Sequence, residues 1–183
     1  MRGFSRQCGR SMVEVVMAIS IISGATAFAV PEMSRILASV RLRAGMHSIT
    51  DGLRLARYEA IRRNGRVVMC KSAEGQQCTA AGDWSQGWIV FHDPNNNGKM
   101  SPGETVLYRE PPAPASLRVS GNTEIKDFVS YGSYGKARQL NGGWQGGTFT
   151  VCSMSTGNTD AYLVIFGISG RPRVQKTTVA HCG

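Results

Sequence analysis

Gly9-Arg10-Ser11-Met12-Val13-Glu14 opens an apolar run that ends at Pro31, and the reading of this stretch decides the fold. Between Met12 and Val30 every residue is apolar or small except Glu14. An α-helix needs about 20 such residues to cross a bilayer, so the run is long enough to span. It is also longer than the roughly 7–15 apolar residues of an ordinary secretory signal. A carboxylate in a membrane helix costs about 3 kcal/mol at the centre and less near an interface. Glu14 is therefore a functional candidate, and something must neutralise it. A plain signal anchor would explain the apolar run but not this charge.

Outward from this run, Glu32 to Arg63 continues as helix, with Ile36, Val40, Ala44, Leu53, Ala56 and Ala60 forming an approximate helical stripe. Asn64-Gly65 supplies the stop, Gly65 taking the left-handed conformation that a helix end needs. At about 1.5 Å per residue, a helix from Met12 to Arg63 is on the order of 78 Å long. Gly24, Pro31 and Gly45 are its expected bend points. Its outer half carries Arg35, Arg41, Arg43, Arg54, Arg57, Arg62 and Arg63. We read these as a solvated, contact-making face in preference to a nucleic-acid site.

After Gly65 short β-like runs alternate with turn residues. The expected strands are Arg66–Lys71, Gly87–His92, Thr105–Arg109, Leu117–Ser120, Ile125–Tyr131, Thr148–Ser153, Ala161–Ile168 and Arg173–Thr177. Trp88-Ile-Val-Phe91 and Tyr162-Leu-Val-Ile-Phe166 are apolar throughout, which places them in the middle of a sheet. Pro111–Pro114 and Asn141–Gly147 read as loops. The fold class is α+β, one long N-terminal helix packed on a β-rich head.

Two sets of residues resemble a known family. A short basic leader ending at Gly9, with Glu14 five residues later and an apolar segment behind it, resembles the class III signal of type IV pilins and pseudopilins. The resemblance implies cleavage between Gly9 and Arg10 by a prepilin peptidase, with methylation of the new N-terminus. Glu14 then becomes the assembly residue, pairing with the N-terminal amine of a neighbouring subunit, and Pro31 matches the family's helix-kinking proline. The chain departs from the pattern at Arg10, where pilins usually carry Phe. Leu55-Ala-Arg-Tyr-Glu-Ala-Ile-Arg-Arg-Asn64, Val67-Val-Met-Cys70 and Trp84-Ser-Gln-Gly-Trp-Ile-Val-Phe-His-Asp93 resemble the GspH/FimT group of minor pilins. This implies a two-sheet, sandwich-like head and other major and minor pilins as partners. The implied domains are a leader (1–9), a transmembrane and assembly segment (10–31), the extracytoplasmic half of the helix (32–64) and the head (65–183). The implied location is the inner membrane, with the head in the periplasm, and then the pilus at the cell surface.

Net charge is +9, of which the leader's Arg2 and Arg6 account for two, leaving +7 after cleavage. A basic head suits an anionic partner, although net charge alone does not name one. Of five cysteines, Cys8 falls in the leader. Cys70, Cys78, Cys152 and Cys182 remain, an even number suited to two disulfides in an oxidising compartment. Three connectivities are open, and Cys70–Cys78 with Cys152–Cys182 is preferred because each pair lies within one local stretch. Zinc is the competing reading, but no CxxC or nearby His pair supports it.

Ser169-Gly-Arg-Pro-Arg173 is similar to the Gly-Arg-x-Arg signature of FimT-type minor pilins, which implies sequence-independent DNA binding during natural transformation. Its chemistry fits. Gly170 and Pro172 shape a turn, and the always-charged forks of Arg171 and Arg173 suit phosphate oxygens. Lys176 extends the patch, Lys136 and Arg138 could join it, and a Cys152–Cys182 bridge would tether this tail. The alternatives are a structural or priming subunit without DNA binding, or a pseudopilin of a type II secretion system. Separately, Asp93-Pro-Asn-Asn-Asn-Gly-Lys-Met-Ser-Pro-Gly-Glu104 fits the spacing of an EF-hand calcium loop, with Asp93, Asn95, Asn97 and Glu104 as ligands. Its flanks read as strands, so a hairpin of turn-forming Asn and Gly is preferred over a weak calcium site. No other cofactor is expected. Nothing points to an enzyme: His47, His92 and His181 are scattered, and no nucleophile or phosphate-loop motif occurs. Trp84, Trp88 and Trp144 read as core or loop anchors, and Trp144, in a Gly-rich loop, is also placed to meet a partner.

Overall fold

The computed structural model of the protein describes residues 11–155 and 157–182, the side chains of 24–32 excepted. Gly9 and Arg10, the expected cleavage site, lie outside the described residues, as does Cys8. One α-helix, α1, runs Met12–Arg63, and its assignment continues through Gly24, Pro31 and Gly45. Eight strands follow: β1 Val67–Lys71, β2 Trp88–His92, β3 Val106–Glu110, β4 Leu117–Gly121, β5 Phe128–Tyr131, β6 Gly147–Ser153, β7 Thr159–Phe166 and β8 Arg173–Val179. They form two antiparallel four-stranded sheets, ordered β3-β2-β1-β5 and β4-β6-β7-β8. This is the pilin-like α+β architecture expected.

The described residues fall into two compact units, one ending at Ser39 and the other beginning at Val40. In the first, large apolar side chains such as Val16, Ile19, Ile21 and Ile22 are exposed. Ser20 and Ser23 donate their hydroxyls to the helix's own carbonyls, Val16 O at 2.8 Å and Ser20 O at 2.9 Å. Those polar groups therefore need no water. Among the described residues no helix is long and apolar enough to cross a membrane. The described side chains of the apolar run end at Ser23, short of the stretch to Pro31 on which the membrane reading depends.

In the second unit, Leu42, Met46, Ile49, Leu53, Ala56 and Ala60 make the buried face of α1. Leu53, Ala56 and Ala60 are the residues expected, but Ile36, Val40 and Ala44 are exposed, which corrects the stripe. Apolar residues occur on both faces of this helix, so the sheets choose between them. The chosen face shares one core with Val67, Met69, Trp88, Val90, Val129 and Tyr131 of the first sheet and Leu117, Phe149, Val151, Val164 and Phe166 of the second. On the first sheet's other face Val68, Cys70, Ile89 and Phe91 form a smaller cluster. Covered on both sides, β1 and β2 are apolar without alternation, as central strands should be.

The helix ends in a Schellman arrangement: Gly65 N–H donates to Ala60 O (3.2 Å) and Asn64 N–H to Ile61 O (3.2 Å). The left-handed residue is Asn64 (φ 49°), not Gly65, which corrects the expected assignment by one position. The expected strand Ile125–Tyr131 also shortens. Thr123–Ile125 is a 3₁₀ turn that buries Ile125, whose carbonyl accepts the Trp84 indole N–H at 3.1 Å, and β5 starts at Phe128. At the far end of β7, Ile168 leaves the strand because Gly167–Gly170 turns the chain.

Both preferred disulfides are present, Cys70–Cys78 and Cys152–Cys182, with Cα separations of 5.6 and 5.8 Å. The second matters for β8, an edge strand with no fully buried residue. Its ladder with β7 and the bridge from β6 to Cys182 hold it, since it has little burial of its own. Closing a loop of this size contributes about 3.7 kcal/mol on the chain-entropy estimate. Cys152→Ser with Cys182→Ser should lower stability by about that amount. In hydrogen exchange it should deprotect β8 amides while sparing β1, and unchanged β8 protection would remove this account.

Candidate functional site

Arg171 and Arg173 sit where β7 returns as β8, and this turn is built to present them. Gly170 N–H donates to Gly167 O at 2.8 Å, and Gly170 takes φ +68°, a left-handed value that favours glycine. A Cβ there would meet Gly135 O and Tyr131 Cε1, each at 2.6 Å, so no side chain fits. Tyr131 donates its hydroxyl to Gly170 O at 3.2 Å. Burial raises its pKa, a nearby Arg57 charge opposing weakly, so the phenol keeps its proton and remains a donor. Arg57 in turn donates Nε–H to Gly135 O at 3.0 Å. Helix, loop 132–136 and hairpin are thus linked in series, and Gly135 brings the loop carrying Lys136 against the arginine turn.

Arg171 and Arg173 are both exposed, and among the described residues neither guanidinium makes an ion pair. Lys176 differs: it pairs with Asp160 at 3.1 Å, both side chains more than half exposed, so its charge is partly answered within the sheet. That qualifies its expected place in the patch. Arg138 and Lys136 lie over the Trp144 ring, with Arg138 Cζ 4.6 Å and Lys136 Nζ 5.4 Å from its centroid. Arg138 also donates to Gly142 O at 3.0 Å. Charge alone placed these two in the patch, and the aromatic partner was not foreseen.

The arginines of α1 are mostly engaged locally. Arg54 pairs with Asp51 (3.0 Å), while Arg62 and Arg63 share Glu59 (2.8 and 2.7 Å). The Arg62 hydrogen bond, more than the others, holds Glu59 below the usual carboxylate range against its own burial. With Arg57 occupied by Gly135, this face serves the fold.

The Asp93–Glu104 segment satisfies its own backbone. Asp93 is fully buried and accepts N–H bonds from Asn97 (3.1 Å) and Gly98 (2.8 Å). Asn95 accepts from Asn97 N–H, Asn97 from Lys99 N–H at 2.7 Å, and Glu104 from Ser101 N–H at 2.8 Å. Glu104 Oε1 is buried without a hydrogen-bond partner. These contacts are those of a turn that joins β2 to β3. Among the described residues no group of three or more His, Cys, Asp or Glu side chains is placed to hold a metal.

One buried group escaped the sequence reading altogether. Lys71 on β1 is fully buried, and its Nζ reaches Ala80 O, Gly82 O and Asp127 Oδ1, each at 3.0 Å. It pins the segment that follows the Cys70–Cys78 bridge, through Ala80 and Gly82, beside Asp127. A lone lysine at a strand end carries no signal of that role.

Glu14 is described within the first turn of α1 and is exposed; the pairing expected for it requires a second subunit.

Comparison with known proteins agrees with this architecture. The minor type IV pilin FimU of Pseudomonas aeruginosa PAO1, in a crystal form of space group P65, aligns with 78% of this chain and 100% of its own, with TM-score 0.54 and 14% identity. A second crystal form, P21, aligns with 78% and 95%, with TM-score 0.52 and 16% identity. At such identities the likeness is one of fold. No curated protein gave a significant match. Residues 46–170, from the buried face of α1 to the glycine of the arginine turn, match the family described as type II transport protein GspH; the chain belongs to that family of pilin-like subunits, and Arg171 and Arg173 lie just beyond the matched region.

Proposed function

We propose that this protein is a minor type IV pilin that binds DNA without sequence preference, through Arg171 and Arg173, during DNA uptake. In this reading the apolar run holds the protein in the inner membrane, a prepilin peptidase cleaves after Gly9, and Glu14 docks the helix among other pilins. The observation that carries the DNA reading is the turn at Gly170. Two guanidiniums that make no ion pair among the described residues project from a hairpin whose glycine is locked against Tyr131 and Gly135. Such groups bind phosphate oxygens, so affinity should fall steeply with salt.

The test is a gel-shift titration of the full-length protein in detergent with duplex DNA. Arg171→Ala with Arg173→Ala is expected to weaken binding at least about tenfold and to lower the salt slope by roughly two. Unchanged affinity would remove Arg171 and Arg173 as the DNA contact, and no salt-sensitive binding by the unmutated protein would leave a structural or priming subunit. The description of the matched family favours a second reading, a pseudopilin of type II secretion. A deletion strain that fails in protein secretion yet transforms normally would decide for it.

A further inference from the structure

We propose that Trp144, with Arg138 and Lys136, forms a base-stacking subsite that makes this surface prefer single-stranded over duplex DNA. The proposal rests on the DNA-binding reading above. Of three tryptophans, Trp84 and Trp88 are 2% exposed and serve the core, whereas Trp144 is 50% exposed. Exposure of so large a ring is unusual, and here the ring is held rather than loose. An antiparallel bridge pairs Trp144 with Arg138, and Gln139 N–H donates to Gly143 O at 2.9 Å. The next residue, Gln145, is buried. Its side chain accepts from Ser130 N–H (2.9 Å) and donates to Phe128 O (3.0 Å) and Glu124 O (3.3 Å). The backbone beneath the ring is therefore held before any ligand arrives, which lowers the ordering cost of binding.

The cations complete it. Arg138 and Lys136 over the indole keep two positive charges beside the ring, and a guanidinium is itself a stacking plane. The nearby acids are engaged: Glu124 accepts Gln139 Nε2–H at 3.0 Å, and Asp127 is held by Lys71. Gly135, adjacent to Lys136, touches Gly170, so the subsite is continuous with the arginine turn. Tyr134, 85% exposed, lies in the connecting loop. Cationic and aromatic groups set side by side are the means by which proteins track single strands, because every base has a π-face and duplex bases hide theirs in the stack.

The experiment measures anisotropy of the full-length protein in detergent with a labelled oligothymidine and with a blunt duplex, at one salt concentration. The unmutated protein should bind the single strand more tightly. Trp144→Ala should weaken single-strand binding about tenfold and duplex binding less than twofold, and Trp144→Phe should recover most of the loss. Equal losses for both DNAs, or none, overturn the stacking proposal. Arg171→Ala with Arg173→Ala should weaken both; if it weakens neither, it is the DNA-binding reading that fails. A measurement without any variant stands beside these. Single-stranded DNA should quench the emission of Trp144 while buried Trp84 and Trp88 continue to emit, and saturation without quenching overturns the subsite.

Discussion

Lys71→Ala should lower the stability of the protein by about 3 kcal/mol, with a fall in melting temperature on the order of 10 °C. The ammonium is fully buried, and its three protons meet three acceptors: the carbonyls of Ala80 and Gly82 and the Asp127 carboxylate. Removing it strands two carbonyls without a partner and leaves a space in the strand. The expected figure sits at the low end for a broken buried pair because Asp127 is half exposed and regains water. Asp127→Ala should cost at least as much, because it leaves the fully buried Lys71 ammonium with two carbonyls and no counter-charge. Thermal or denaturant unfolding of both variants, with disulfides intact, checks this. A Lys71→Ala loss below about 1 kcal/mol would show that the buried ammonium does not hold this segment.

Glu14→Ala should leave the protein in the membrane and remove it from sheared filaments. Under the proposed assembly, Glu14 and the amine freed at Arg10 form a pair in apolar surroundings, and that pairing offsets the burial of each charge and sets the helix register. Alanine removes the cost of inserting a carboxylate, so membrane association should hold or strengthen. Only recruitment is lost. Immunoblots of membrane and sheared-filament fractions read both quantities at once. Filament incorporation at the wild-type level would mean that the apolar surface of the helix suffices for docking.

Glu14 also marks how much of the candidate site was legible. Charge in an apolar run is visible in one dimension, and so are paired cysteines in local stretches and a Gly-Arg-Pro-Arg turn. The Gly170 turn was read as a turn, but its lock against Tyr131 and Gly135 joins positions 39 and 35 residues apart in the chain. In the sequence only charge marks Arg138 and Lys136, and Trp144 stands between anchor and partner contact. Locally, only its Gly-rich loop separates exposed Trp144 from buried Trp84 and Trp88. The difference comes from which loops the sheets cover.

By itself the sequence determined what depends on neighbours along the chain. Helix α1 follows from the apolar run, the helical pattern behind it and a stop at Asn64-Gly65, although Gly24, Pro31 and Gly45 lie within it. Strand positions follow from apolar runs between turn residues, and the disulfides from proximity. Tertiary structure decided whatever depends on pairing across the chain. Two sheets selected the Leu42–Met46–Ile49 face of α1 over Val40 and Ala44, because burial is set by the surface that a helix meets and periodicity offered both. The fold also gave Lys71 its three acceptors, and it left Trp144 in the open with two cations above its ring. A side chain's burial and partners are properties of the assembled sheets, and no window of sequence contains them.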